Sequence, residues 1–397
     1  MTDAATDTDI VFLGGARTAI GSFGGALADM PPTRLGAIVA HAALERSGLE
    51  AAQVGHVVFG TVISTEPKDM YLARIAAMEA GVPETVPAMN VNRLCGSGAQ
   101  AIVSAAQALM LQDADFALAG GAESMSRAPH VLPAARWGRK MGDARALDMM
   151  LGTLMCPFGT GHMGVTAENV ARAHGIDRRQ QDAFALESQQ RAARAIAEGR
   201  FRDQIVPVEV RQRRDSVLFD TDEHPKETSA EALASLPPAF EEGGSVTAGN
   251  ASGINDGAAA LVLARAGAAE RAGLTPRARL LGYAHAGVRP EVMGIGPVPA
   301  VRALLERTGL AVGDFDVIES NEAFAAQALA VSQELGLDPA RVNPNGGAIA
   351  LGHPVGATGA ILALKALHEL ERTGTRRALV TMCIGGGQGI ALALERL

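Results

Sequence analysis

Along the first third of the chain, short apolar runs alternate with longer segments whose apolar residues recur every three or four positions. The runs at 9–13, 56–62, 88–91 and 116–119 have the length and composition of strands. The amphipathic stretches at 34–46, 71–80 and 97–112 have the period of helices. Thr33 stands where an N-cap for the first helix is expected, with Gly48 just past its end, and Gly81 stops the second. Strand–helix alternation of this kind predicts a parallel sheet covered by helices.

The last third repeats the order. A helix at 298–307 precedes a strand at 315–319, a helix at 322–335 and a short strand at 341–343. A glycine-rich loop, a helix at 356–370 and a strand at 378–382 follow. The loop holding His353 thus occupies the place in its half that the loop holding Cys95 has in the first, which reads as an internal duplication. Between the halves, across 124–253, the rhythm breaks. Arg, Met and Pro cluster at 127–141, two helices at 166–174 and 178–198 are divided by Gly175 and ended by Gly199, and a charged segment spans 211–231. This reads as an insertion, placed where lids and ligand-binding elements arise.

Composition narrows the function classes. Hydrophobic residues make up 48% of the 397 and aromatic ones 4%, so the expected core is aliphatic and large enough for two or three domains. A net charge of −8 argues against nucleic acid as the main partner, since such a binder needs a basic face to displace counterions. It leaves open a small anionic ligand in a locally basic cleft. No stretch reaches the roughly 18 apolar residues of a membrane span. The acidic start has neither the basic region nor the apolar run of a signal peptide. The three cysteines, Cys95, Cys156 and Cys383, are odd in number and widely spaced, with no disulfide framework and no zinc spacing. A cytosolic chain with reduced thiols and no metal is expected.

Four polar residues stand in glycine-rich or small-residue settings: Cys95 in the segment 92–98, Asn321 in 321–325, His353 in 346–354 and Cys383 in 383–387. Two thiols, an imidazole and an amide are the groups that move an acyl chain through a thioester. Cys95 precedes a small-residue turn opening a helix, whose N-terminal partial charge would favour the thiolate. His353 could deprotonate a thiol or donate to a thioester oxygen. Cys383 ends an apolar strand, and the Gly385 N–H is free to meet an oxyanion; a plain turn between strands accounts equally for its three glycines. Asn321 reads either as an N-cap or as an amide fixing a water near the thioester. Cys156 has no such setting and reads as non-catalytic.

These motifs, together with residues 14–21, 120–126, 162–169, 247–253, 352–359 and 383–389, resemble those of thiolases over nearly the whole chain, above all the bacterial biosynthetic acetyl-CoA acetyltransferase and β-ketothiolase type. The resemblance implies a duplicated five-layered α-β-α-β-α fold. Its halves would be 1–123 plus 255–276 and 277–397, with a loop domain at 124–254. It implies a reversible ping-pong Claisen condensation on short acyl chains. Cys95 would carry the acyl group, His353 would activate it, and Cys383 would move the α-proton. Asn321 (through a water) and His353 would form one oxyanion hole, and the N–H groups of Cys95 and Gly385 the other. Coenzyme A and acetyl-CoA enter as substrates, with no permanently bound cofactor. Ser252 would contact the pantetheine, His162, Met163 and Leu154 would line its tunnel, and Phe240 and Phe324 would surround the acyl group. A homotetramer is implied, with 126–141 as its tetramerisation loop.

Three positions depart from the family pattern. Lys226 stands where an Arg for the nucleotide phosphates is common, in a segment about one residue short, and a point charge replaces a planar fork. Ala99 replaces a larger apolar residue, and Ser320 a small or apolar one. Lys226 and Ala99 are candidates for altered affinity or chain-length preference. A degradative 3-ketoacyl-CoA thiolase of broader chain length and a non-catalytic acyl-CoA-binding relative are the alternatives. The presence of Cys95, His353 and Cys383 weighs against the second.

Overall fold

The computed structural model describes residues 6–212 and 215–397; the first five residues of the acidic start and positions 213–214 of the charged segment lie outside them. The principal strands, in chain order, are β1 (Ile10–Arg17), β2 (His56–Gly60), β3 (Ala88–Val91), β4 (Phe116–Ser124), β5 (Asn255–Arg265), β6 (Ala278–Gly287), β7 (Val317–Ser320), β8 (Arg377–Ile384) and β9 (Gln388–Arg396). The principal helices are α1 (Pro32–Ser47), α2 (Leu72–Glu79), α3 (Ser97–Met110), α4 (Met163–His174), α5 (Arg178–Ala197), α6 (Pro297–Thr308), α7 (Ala325–Leu335) and α8 (Thr358–Thr373).

Strand order exposes the duplication. Hydrogen-bonded neighbours run β7-β8-β9-β6-β1-β5-β4-β2-β3. From its outer edge inward the first half reads β3-β2-β4-β5-β1, parallel across β3, β2 and β4 and antiparallel thereafter. The second half reads β7-β8-β9-β6 with the same senses, and Val342 bridges Ile318 in parallel at the position matching β3. The halves join edge to edge where Val11 and Phe12 of β1 pair with Arg279 and Ala278 of β6.

Alternation along the strands sorts side chains into layers. On β5, Ala259, Leu261 and Leu263 face a central apolar cluster, while Ala258, Ala260 and Val262 face a second cluster with α1 and α2. On β9, Ile390, Leu392 and Leu394 join the central cluster, and Ala391 and Ala393 face α6 and α7. Helices α3 and α8 fill the space between the two half-sheets. The result is the five-layer sandwich of the fold expected from sequence. Both sheet faces are buried, which explains the aliphatic composition. The α3–α8 crossing is so close that a Cβ on Gly359 would lie 2.2 Å from Ala99 N, and one on Gly98 2.7 Å from Ala360 N. Ala99 is fully buried in this crossing, against Gly359 of α8.

Local boundaries differ from the sequence reading in three places. Helix α1 is entered at Pro31, its N-cap, with Pro32 first in the helix, so Thr33 lies inside the first turn and caps nothing. Proline suits that place because the missing N–H would have had no partner there. Helix α7 starts at Ala325 behind Phe324 as N-cap, so Asn321 does not cap it. The Asn321 N–H instead donates to Thr381 O at 3.0 Å, one step beyond the β7–β8 ladder. The expected strand at 341–343 shrinks to the Val342 bridge, since Asn343 turns away with φ 44°. The Asn343 amide then donates to Ser320 O and accepts from Ser320 N–H, holding Ser320 by its backbone.

The segment between the halves carries α4, α5 and three small two-stranded sheets separate from the main one. Arg17 of β1 fixes it to the core. Its guanidinium is fully buried, meets both carboxylate oxygens of Asp222 at 2.7 and 2.9 Å, donates to Gln204 at 3.1 Å and lies over the Phe201 ring. A buried bidentate pair of this kind is costly to break from one side, by roughly 3–5 kcal/mol.

Candidate active site

Cys95 sits on a tight turn between β3 and α3. The Asn92 side chain accepts the Leu94 N–H at 2.9 Å, and the Ser97 hydroxyl accepts the Arg93 N–H and donates to Leu94 O. Leu94 is thereby held at φ 47°, a left-handed conformation costing on the order of 1 kcal/mol or more for such a residue. A Cβ on Gly96 would lie 2.5 Å from Ile384 Cδ1, so the Cys95 turn rests directly on the end of β8, beside Cys383.

Burial pushes the Cys95 thiol up, against N–H groups of Gly385 and of Cys95 itself that favour the thiolate. The thiolate expected from the helix N-terminus is thus not the resting form: removal from water outweighs the dipole. Cys383 is almost fully buried, and burial, then the neighbouring Cys95, push its thiol up as well. Both sulfurs need a partner that takes a proton.

His353 is such a partner. Its backbone N–H donates to Asn255 Oδ1 at 2.9 Å, its Nδ1 meets Thr358 Oγ1 at 2.7 Å, and its Nε2 faces Asn321 Nδ2 at 3.4 Å. The single Thr358 hydroxyl proton goes to Pro354 O at 2.9 Å. Thr358 Oγ1 must therefore accept from His353 Nδ1–H, which assigns the free lone pair to Nε2. Burial lowers the imidazole pKa to about 4, so the ring is neutral near pH 7. Asn321 turns its N–H toward that nitrogen, while its buried Oδ1 meets no protein partner among the described residues.

The proposed acyl pocket is equally concrete. Met163, Phe324, Ala323, Ala251, Cys156 and Cys383 form one apolar cluster with Phe240 packed against it. The His162 ring stacks on Phe240 at 4.6 Å and 15°, and Phe240 meets Phe324 edge to face at 6.1 Å. His162 Nδ1 accepts the Gly164 N–H at 3.0 Å, and the Met163 N–H donates to Leu154 O at 2.8 Å, so these three residues form one wall. Ser252 is placed beside Phe324 by its N–H bond to Ala323 O at 3.0 Å. Lys226 is exposed, and its backbone N–H donates to Gln189. Its charge acts on His224, whose ring lies against Gly253 and whose pKa falls to about 4 through burial first and then the Lys226 ammonium.

The comparisons with known proteins fit this geometry. Residues 10–267 match the thiolase N-terminal domain and residues 274–396 the thiolase C-terminal domain. The chain belongs to the thiolase family. A relative named beta-ketothiolase BktB, from Cupriavidus necator, is 61% identical over 98% of this chain and 99% of its own. An acetyl-CoA acetyltransferase of Pseudomonas aeruginosa is 52% identical over the same shares. Among solved structures, the Bacillus anthracis acetyl-CoA acetyltransferase superposes with a TM-score of 0.96 at 45% identity, covering 98% of this chain and 99% of that one. The human mitochondrial 3-ketoacyl-CoA thiolase in complex with CoA gives 0.96 at 41%, covering both chains fully (100% and 100%).

In this thiolase, several residues of the site carry no signal that the sequence reading used. Thr358, which fixes the His353 tautomer, lies inside the quoted segment 352–359 but looks like an ordinary helix-opening threonine. Asn255 lies just past the segment 247–253, and Glu123 inside 120–126. Glu123 is fully buried, and burial pushes its carboxyl up to about 8, against backbone N–H groups of Ile63, Val62 and Gly356 that favour the charged form. Cys156, read as non-catalytic, packs in the same apolar cluster as Cys383. Among the described residues, no group of three His, Cys, Asp or Glu is placed to hold a metal ion, and no helix is long and apolar enough to cross a membrane.

Proposed function

We propose that the chain is an acetyl-CoA C-acetyltransferase of the β-ketothiolase type. It joins two short acyl-CoA molecules into a 3-ketoacyl-CoA and free CoA, and runs the reverse thiolysis. The observation that carries this reading is the neutral His353, with its Nε2 lone pair free, beside Asn321, with the half-buried Cys95 packed against Val355 of the same loop and the buried Cys383 next to Cys95.

In the first half-reaction His353 Nε2 takes the Cys95 proton and the sulfur attacks the thioester carbonyl. The bond from carbonyl carbon to CoA sulfur breaks, and the departing CoA thiolate takes the Cys383 thiol proton, which leaves Cys383 as the thiolate while the Cys95 proton stays on His353. The developing oxyanion is met by the N–H groups of Cys95 and Gly385. In the second, the Cys383 thiolate takes the α-proton of a second acetyl-CoA, whose carbon attacks the acyl group; the bond from carbonyl carbon to Cys95 sulfur breaks, and the released sulfur takes its proton back from His353. The enolate oxygen is met by His353 and by a water held on Asn321. Leu154, His162, Met163 and Ser252 hold the pantetheine, Phe240 and Phe324 bound the acyl group, and Lys226 serves the nucleotide phosphates. The halves and the loop domain divide as 1–123 plus 255–276, 277–397 and 124–254.

We read the chain as a cytoplasmic homotetramer joined through 126–141, and its product as a precursor of polyhydroxyalkanoate. The exposed Trp137 and Met141 in that loop support the assembly reading. Purified protein given acetoacetyl-CoA and CoA should form acetyl-CoA, and should turn over acetoacetyl-CoA with a higher kcat/KM than a six- to ten-carbon 3-ketoacyl-CoA (lengths roughly bracketing the degradative class). Preference for the longer chains would favour the degradative reading instead, and no turnover of either would sink the proposal.

A further inference from the structure

The His353 loop belongs to the second half, while Cys95 belongs to the first. Two side chains from β4 and β5 hold the loop 352–358 across that divide: Asn255 Oδ1 accepts the His353 N–H at 2.9 Å and Glu123 Oε2 accepts the Gly356 N–H at 2.9 Å. They stand near the ends of adjacent strands, where Glu123 pairs with Gly257. The Glu123 carboxylate also accepts the N–H groups of Val62 at 2.9 Å and Ile63 at 3.2 Å, in the segment leaving β2. A Cβ on Gly356 would fall 2.5 Å from Glu123 Oε2 and 2.9 Å from Thr61 Cα, so only glycine allows this approach. Ile63 and Val355, each next to a clamped residue, belong to the small cluster against which Cys95 packs. No cation pairs with this carboxylate among the described residues; its bonds are to backbone N–H groups.

We propose that Glu123 is a positioning residue for the thiolase reaction: its carboxylate clamps 62–63 to Gly356, and so fixes where His353 stands relative to Cys95. The proposal rests on the roles given above to those two residues. Glu123 itself exchanges no proton with the substrate. Loss of the clamp lets the His353 loop drift with α8, to which Thr358 ties the ring, while only the Asn255 side chain still holds it from the first half. A misplacement of about 1 Å in a reacting group costs on the order of 10²-fold in rate.

The test compares Glu123→Ala and the near-isosteric Glu123→Gln in the full chain, with Gly356→Ala as a variant that keeps the carboxylate but pushes the loop off it. Three quantities are read: kcat and KM for thiolysis of acetoacetyl-CoA, the rate of Cys95 acetylation, and amide exchange in the peptide carrying 352–358. Glu123→Ala and Gly356→Ala should each lose about 10²-fold in kcat with KM within about threefold, and exchange of that peptide should speed up. Glu123→Gln, whose carbonyl still accepts at one oxygen, should recover most of kcat. A merely structural glutamate would move the melting temperature without this split. Where Glu123→Ala does not fold, Gly356→Ala and Glu123→Gln carry the test. Folded Glu123→Ala or Gly356→Ala protein with kcat within about threefold of wild type, or with unchanged exchange at 352–358, overturns the proposal, as does Glu123→Gln losing as much kcat as Glu123→Ala. Wild-type protein that never acetylates Cys95, with exchange still faster in the variants, overturns the catalytic reading and with it the catalytic consequence of the clamp.

Discussion

Replacing Thr358 by valine tests the electrostatic core of the site with little change in shape. In the native protein Thr358 Oγ1 accepts from His353 Nδ1–H at 2.7 Å while donating to Pro354 O. Valine fills the same volume without an acceptor. The buried Nδ1–H then lacks a partner, which costs about 1–3 kcal/mol. The ring relieves that cost by moving its proton to Nε2, where it faces the Asn321 amide N–H instead of offering it a lone pair. The base-competent tautomer is depleted by the same energy. At about 1.4 kcal/mol per tenfold, acylation of Cys95 should slow by roughly 5- to 150-fold. The assay is the initial rate of acetyl-CoA formation from acetoacetyl-CoA and CoA, with the melting temperature measured alongside. Thr358→Ser keeps the hydroxyl and should retain most of the rate. A folded Thr358→Val enzyme within about twofold of wild type would refute the tautomer argument, because among the described residues Thr358 alone meets Nδ1.

Other outcomes follow from the same geometry. Gly385→Ala would bring a Cβ within 3.1 Å of Met163 Cε and 3.3 Å of Leu94 Cδ1, so the N–H serving Cys95 must shift; kcat should fall by about tenfold or more with the fold intact, and unchanged kcat would remove Gly385 from the oxyanion hole. Cys383→Ala should still accept acetyl on Cys95 from acetyl-CoA yet form no acetoacetyl-CoA; normal condensation would assign the α-proton elsewhere. The imidazole pKa of His353 is lowered from 6.5 to about 4, so its lone pair is lost only as pH falls toward the lower value. The acylation rate should therefore show no break near pH 6.5 and decline only toward pH 4. A sigmoidal loss centred near 6.5 would mean that His353 is not desolvated as described.

The sequence made the chemistry more legible than the architecture around it. Cys95, His353 and Cys383 interrupt glycine-rich runs and Asn321 stands beside small residues, and such settings stand out without a structure. Strand β3, at the sheet edge, was read with its observed bounds. By contrast β5, β6 and β9 left no trace in the hydrophobic pattern. Segments such as Asn255–Arg265 and Gln388–Arg396 are buried on both faces, so no polar alternation marks them. Asn321 looked like an N-cap because asparagine often is one; the β7–β8 ladder extends through it and delays the helix to Ala325. The Cys95 thiol was expected to be lowered because the helix dipole is visible in sequence, whereas desolvation depends on Ile384 closing over the turn from nearly three hundred residues away. Glu123, Asn255 and Thr358 escaped notice for a related reason. Each acts through a backbone group or ring nitrogen that only the folded chain brings into reach.

The central claim is that an acyl group passes through a thioester on Cys95. Incubating the purified protein with acetyl-CoA and mapping the modified peptide by mass spectrometry addresses it most directly. The account predicts one acetyl on Cys95, removed again when free CoA is added. Bound CoA with Cys95 unmodified, or acetyl found on Cys383 or Cys156 instead, would contradict it.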